Sequence, residues 1–272
     1  IYRSLNSHSR SPLPFARSLR ILGGRGPLRP ARFQSLLGDH AMQSQHAELE
    51  WRDSGVPVST HFDDPYFSLD NGLAETAYVF LQGNDLPQRF TDGFHIAELG
   101  FGTGLNLLAA LRLWRQTGQS GALHFTSFEA FPMRPDEMRR AHEAFPEIAA
   151  ISAEIMPLLE ATPRRLSLPD LEFTLITGDA RATVSGWDRR ADAWFLDGFS
   201  PAKNPELWDA DLMKDVARHT VPYGTAATYT AAGFVRRNLA EAGFDVRRIS
   251  GFGRKRHMTV ARLPACPCGP HD

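Results

Sequence analysis

The chain has 272 residues, 42% of them hydrophobic, 22% charged and 10% aromatic, with a net charge of −1. That balance is globular; it excludes a collagen, a mostly disordered chain and a disulfide scaffold, since the two cysteines, Cys266 and Cys268, sit together at one end. No apolar run of about 18 residues is present, so no membrane span is expected.

The first 41 residues are expected to stand apart. They hold seven Arg, one Asp and no Lys or Glu, which makes this segment +6 and the remainder −7. They show no sustained hydrophobic period and are expected to be a disordered basic extension. Three origins fit: a reading frame extended upstream of Met42, an Arg- and Ser-rich transit-like segment directing the chain to mitochondria, or a basic arm that touches RNA. Residues 42–92 read as a small N-terminal cap, separate from the main domain, with short elements around Phe62–Phe67 and Glu75–Leu81. Residues 265–272 read as a disordered tail.

Between these, in residues 93–264, β-rich runs alternate with helical patterns. Strands are predicted at Phe94–Leu99, His124–Glu129, Leu171–Thr177, Ala193–Asp197, Thr225–Thr230, Asp245–Ile249 and Met258–Leu263. Helices are predicted at Leu105–Trp114, Pro135–Phe145, Pro205–His219 and Phe234–Ala242. The alternation implies an α/β fold with a mostly parallel, seven-stranded sheet. The short Gly251–His257 link makes the last two strands an antiparallel hairpin.

Ligands of such sheets bind beyond the carboxyl ends of the strands. There the sequence places Glu98-Leu99-Gly100-Phe101-Gly102-Thr103-Gly104-Leu105-Asn106 between the first strand and the first helix. The third position of a G-x-G-x-x-G dinucleotide fingerprint would be Leu105, so that pattern fails, and no G-K-[ST] of a phosphate loop is present after it. The E-x-G-x-G-x-G string resembles motif I of the class I methyltransferases, which implies a Rossmann-like fold and S-adenosylmethionine as cofactor. Under that resemblance Glu98 serves the cationic methionyl end, directly or through water, and the loop Gly100, Phe101, Gly102, Thr103, Gly104 and Asn106 lies on the cofactor, with amides toward its carboxylate. Glu129, ending the second strand, is placed for the ribose hydroxyls. Asp179 and Ala180, after the third strand, are placed for the adenine. Asp179 alone reads more readily as a helix cap; three acids at three successive strand ends favour the cofactor.

The stretch Asp192–Trp208 (DAWFLDGFSPAKNPELW) is the most specific. With ELEW at Glu48–Trp51, FDDPYFS at Phe62–Ser68, NGLAET at Asn71–Thr76, TAAGFVRR at Thr230–Arg237 and GFGRKRHM at Gly251–Met258, it resembles the methyltransferase module of the MnmC family, over roughly Glu48–Leu263. The resemblance implies methylation of the primary amine of 5-aminomethyl-2-thiouridine at the wobble position of tRNA, with the anticodon loop as partner, in the cytoplasm. Asp197 is implied as the residue that meets the amine. Phe199 and Phe131 are expected to wall or stack on the pyrimidine, and Lys203 to contact a phosphate beside the site. Tyr66, Asp63 and Glu75 are weaker candidates from the cap, Tyr66 on the cofactor side. Arg254, Lys255 and Arg256 at the hairpin tip, with Arg236 and Arg237, are expected to bind RNA. Bifunctional members carry a second, FAD-dependent domain after this module; with the chain ending at Asp272, no FAD is expected. No metal is expected either, for no His or Cys spacing is convincing. Other readings are a small-molecule amine methyltransferase, an aminopropyltransferase-like enzyme, or a non-catalytic RNA-binding scaffold.

Overall fold

A computed structural model describes residues 46–68 and 71–265. The expectations for residues 1–41, for Cys266 and Cys268 and for nearly all of the 265–272 tail lie outside the described residues.

The chain runs through three short strands, β1 (Leu49–Trp51), β2 (Pro57–Ser59) and β3 (Asp64–Pro65), and the helix α1 (Gly72–Thr76), which continues as a π turn over Ala77–Leu81 and a 3-10 turn over Gln82–Asn84. Next come β4 (His95–Leu99), α2 (Leu105–Gln116), β5 (Leu123–Glu129), α3 (Pro135–His142), α4 (Ala149–Ala161), β6 (Arg165–Leu168), β7 (Leu171–Thr177), α5 (Ala180–Thr183) and β8 (Ala191–Leu196). The remainder is a 3-10 turn (Pro205–Trp208), α6 (Ala210–Arg218), β9 (Thr220–Thr228), α7 (Gly233–Glu241), β10 (Asp245–Ser250) and β11 (His257–Arg262).

The main sheet has the order β10-β11-β9-β8-β4-β5-β7-β6. Strands β7, β5, β4, β8 and β9 are mutually parallel, while β11 is antiparallel to β9 and to β10. The fold is the expected Rossmann-like one. From β4 the chain proceeds to β5 and β7 on one side, then returns to lay β8 and β9 on the other. The switch point therefore falls between β4 and β8, where such sheets open a ligand crevice.

The central strands are buried because both faces are covered. All five residues of β4 are buried. Neighbouring residues of β8 serve opposite layers: Phe195 packs with α2 and α4 on one face and Trp194 with α6 and α7 on the other. Each such side chain contributes about 1.5–3 kcal/mol through its removal from water.

Three expectations need correction. The sheet has eight strands among the described residues, not seven: β6 pairs antiparallel with β7 at the edge. Its four residues bury only Leu166, too brief an alternation to stand out from the Arg-rich stretch before it. The α4 helix is also missing from the predicted elements, since Pro157 lies inside it and proline normally argues against a helix interior. Finally, the cap is not separate. Val79, Phe80, Leu81, Leu86 and Phe90 share one core with Ile96, Phe125 and Phe195. Asn84, fully buried, donates to the carbonyl oxygens of Phe80 and Trp194 and accepts from Thr225. An unpartnered buried amide would be costly, so the bonds to Trp194 and Thr225 pin the cap to β8 and β9.

Candidate active site

The glycine loop owes its path to residues without a Cβ. Gly100, Gly102 and Gly104 have φ of 84°, 52° and 75°, a region L side chains rarely adopt. At Gly100 the space is also closed: a Cβ would lie 2.8 Å from the Asp197 carbonyl oxygen. The loop after β4 therefore runs against the end of β8. His142, buried, backs the loop: its Nε2 donates to the Thr103 carbonyl at 2.8 Å while Nδ1 meets Ser152 Oγ at 2.8 Å. Burial holds this imidazole below its usual pKa, hence neutral.

Beside the loop lies a cavity of ≈ 920 Å³, bounded by the ends of β4, β5, β7 and β8 and by the cap. Its wall includes the glycine loop, Asn106, Glu129, Asp179 and Ala180, Asp197, Phe199, Tyr66 and, at the mouth, Lys255. Its size suits a drug-sized ligand. Glu129 accepts from the amides of Gly102 (3.1 Å) and Phe131 (2.8 Å). Burial pushes its pKa up, against the pull of these amides. Asp179 caps α5, pairs with Arg181 and also lines the cavity. Its carboxyl is held below the usual range by the Arg181 bond. Tyr66 packs over Gly102 and edge-on to Phe199, with ring centroids 5.1 Å apart.

Asp197 sits at the end of β8. Its Oδ2 accepts from Asn106 Nδ2 at 2.8 Å and its Oδ1 from the Gly198 amide at 2.9 Å. Desolvation outweighs both bonds and pushes its pKa up to about 7. The same Asn106 nitrogen donates to Glu98 Oε1 at 2.8 Å, and Asn106 Oδ1 accepts from Thr76 at 2.9 Å. Glu98 Oε2 accepts from Ser127 at 2.6 Å. Burial raises the Glu98 pKa well above the ordinary value.

The geometry corrects three residue expectations. Glu98 is fully buried and lies behind Asn106, outside the pocket wall, so only contact through other groups stays open to it. Lys203 turns from the pocket to the cap, where its ammonium bonds the Asp63 carbonyl and carboxylate. Lys255 points into the pocket mouth rather than outward. It pairs with Glu75 at 2.7 Å and lies 4.2 Å from the Tyr229 ring centroid. Of the other basic residues, Arg254 joins Lys255 on the pocket wall, and Arg236, on α7, bonds the Ala231 carbonyl. Arg237 and Arg256 are exposed.

The pocket also holds groups to which the sequence assigned no role, Phe62, His61, Tyr229 and Asp64, beside the expected Phe131. Phe62 stacks on Phe199 (4.6 Å, 27°) and, with His61 and Phe131, makes an aromatic collar. Tyr229 donates to the Gly198 carbonyl at 2.7 Å. Asp64 accepts from the Ser200 amide at 2.8 Å and so fixes the loop that bears Phe199.

Comparison with known proteins bears on the class of the fold. A family model for S-adenosyl-L-methionine-dependent methyltransferases matches residues 143–264. The tRNA 5-methylaminomethyl-2-thiouridine biosynthesis bifunctional protein MnmC of Stutzerimonas stutzeri is 44% identical over 240 residues, 84% of this chain and 36% of that protein. Its namesake in Aeromonas hydrophila is 46% identical over 230 residues, 78% of this chain and 35% of the relative. The crystal structure of MnmC2 from Aquifex aeolicus superposes with a TM-score of 0.64 at 29% identity, covering 85% of this chain and 74% of that one. Fold, crevice and family model together define a Rossmann-like, S-adenosylmethionine-dependent methyltransferase. The chain spans about a third of the length of the curated relatives it matches. Within that class the relatives it resembles over most of its own length are the MnmC proteins.

Proposed function

We propose that this chain methylates the primary amine of 5-aminomethyl-2-thiouridine at the wobble position of tRNA, giving 5-methylaminomethyl-2-thiouridine. The observation that carries the reading is the position of Asp197, a carboxylate with a raised pKa at the switch point, in one cavity with the glycine loop and Glu129.

The residues fit the cofactor. The amide-rich loop and the N-terminus of α2 suit a carboxylate. Glu129 lines the cavity at the end of β5 where the ribose hydroxyls would come, Asp179 and Ala180 flank the space for the adenine, and Tyr66 covers Gly102. When bound, S-adenosylmethionine supplies a sulfonium methyl, which an amine nitrogen takes in line as the neutral thioether leaves.

The protein's part is to deliver a neutral, aimed amine. A free alkylamine has a pKa of about 10 and arrives as an ammonium. Asp197 accepts a hydrogen bond from it and takes one proton, leaving the nitrogen lone pair free. Its raised pKa makes it a better base than an exposed aspartate, yet one still below the amine, so orientation is its larger task. Asn106 holds the carboxylate in place, and Glu98 and Ser127 hold Asn106. Phe62, Phe131 and Phe199 offer faces on which a splayed anticodon base stacks. The exposed Arg256 and Arg237 are our candidates for phosphate contact, with Arg254 at the mouth. A tRNA substrate makes the cytoplasm the proposed compartment.

The test is nucleoside analysis of tRNA bearing the aminomethyl precursor after incubation with methyl-labelled S-adenosylmethionine. Label in 5-methylaminomethyl-2-thiouridine supports the reading. Label only in small amines supports the alternative of a small-molecule amine methyltransferase and overturns it.

A further inference from the structure

A primary ammonium already occupies the mouth of this pocket, and it belongs to the protein. Lys255 Nζ lies 2.7 Å from Glu75 Oε1 and 4.2 Å from the centre of the Tyr229 ring. Both partners are tied to the surroundings of Asp197. Glu75 precedes Thr76, whose hydroxyl bonds Asn106, the residue that bonds Asp197. Tyr229 bonds the carbonyl of Gly198, next to Asp197 in the chain. All four side chains, Glu75, Asp197, Tyr229 and Lys255, face one cavity.

The two sides of this contact differ. Glu75 is 9% exposed, and a carboxylate so placed needs a counter-charge. Lys255 is exposed, on the turn between β10 and β11, and its long stem reaches the pocket from outside. The acid is buried and the ring packs on the core, whereas the cation comes from an exposed turn.

Resting on the proposed amine methylation, we propose that Glu75 and the face of Tyr229 form the seat for the substrate's primary ammonium beside Asp197, which Lys255 fills until the substrate displaces it. Carboxylate and aromatic face are the two partners an alkylammonium prefers, and both strengthen when water is excluded. The seat selects for charge. A substrate carrying a hydroxyl or a hydrogen in place of the aminomethyl group cannot displace Lys255 without leaving Glu75 buried and unpaired. Once the amine is seated, Asp197 is the neighbouring base that takes its proton.

The test measures binding of the free nucleoside 5-aminomethyl-2-thiouridine to the full chain saturated with S-adenosylhomocysteine. The nucleoside has no RNA backbone, so a lysine that served only phosphate would leave its affinity unmoved. Lys255→Ala is expected to bind it several-fold more tightly, because the competing ammonium is gone. Glu75→Gln is expected to bind it about tenfold or more weakly, in line with loss of a charge-assisted bond. Tyr229→Phe keeps the ring face and is expected to stay near wild type, whereas Tyr229→Leu weakens binding. Unchanged nucleoside affinity in Glu75→Gln, or weaker binding in Lys255→Ala, overturns the seat. Methyl transfer to precursor tRNA by the wild-type chain is measured alongside. Transfer with unmoved nucleoside affinities overturns the seat alone; no transfer overturns the amine-methylating reading and the seat with it.

Discussion

The side-chain amide of Asn106 donates to Asp197 Oδ2 at 2.8 Å. Its second hydrogen goes to the fully buried Glu98, also at 2.8 Å, so one amide divides its donors between two carboxylates. Asn106→Ala removes both bonds and leaves a buried Glu98 oxygen without that donor, at a cost of about 1–3 kcal/mol. For a chain of this size that is a fall in Tm of roughly 2–12 °C. Asn106→Asp is expected to be worse, since it sets a third carboxylate among the other two. Thermal melts of both variants at one pH check this; unaltered midpoints would show that the network adds nothing to stability.

The raised pKa of Asp197 gives a signed pH dependence. Its folded value, about 7, lies above the ordinary 3.8, so between these values the folded state binds the extra proton. This group's contribution to stability therefore falls as pH rises from about 4 to 7, and above 7 the buried charge is a standing cost. Asp197→Asn is expected to match or exceed the wild type in Tm at pH 8 while losing activity. In the wild type, methyl transfer is expected to rise with pH through about 7 as the carboxylate ionises. Melting curves and a pH–rate profile read the two effects separately.

Gly100 is held by two constraints, a φ of 84° and the Asp197 carbonyl 2.8 Å from where a Cβ would be. Gly100→Ala must strain the backbone and push the two strand ends apart, a cost of at least about 1 kcal/mol. Both stability and S-adenosylmethionine affinity are expected to fall. Calorimetric titration checks the second; an affinity equal to the wild type would mean that the loop does not set the cofactor's place.

Glu129→Ala removes the carboxylate from the end of β5, where it holds the amides of Gly102 and Phe131. If it also holds the ribose, S-adenosylmethionine affinity drops at least about tenfold, the scale of a charge-assisted bond. A Kd within twofold of wild type would confine Glu129 to bracing the loop.

Much of this is legible in the sequence, for a physical reason. Hydrophobic runs fix strands, and a parallel sheet brings their carboxyl ends to one edge, so the acids at Glu129, Asp179 and Asp197 are placed by counting. Glycines at Gly100, Gly102 and Gly104 announce a loop that side chains would block. What escapes the sequence depends on partners far along the chain. Lys203 reads as a pocket cation because its acceptor, Asp63, is 140 residues away. Lys255 reads as part of an outward patch because Glu75 is 180 residues away. Glu98 reads as a ligand-facing acid, but Asn106, in the first turn of α2, stands between it and Asp197. The Phe62–Phe199 stack joins cap to loop, and no local pattern marks it.

The most direct test is single-turnover methyl transfer by Asp197→Asn to precursor tRNA, with S-adenosylmethionine binding measured on the same sample. The account expects binding within about twofold of wild type and transfer slower by at least about a hundredfold, the reach of a positioned acid–base group. Transfer at the wild-type rate with the cofactor bound would contradict it.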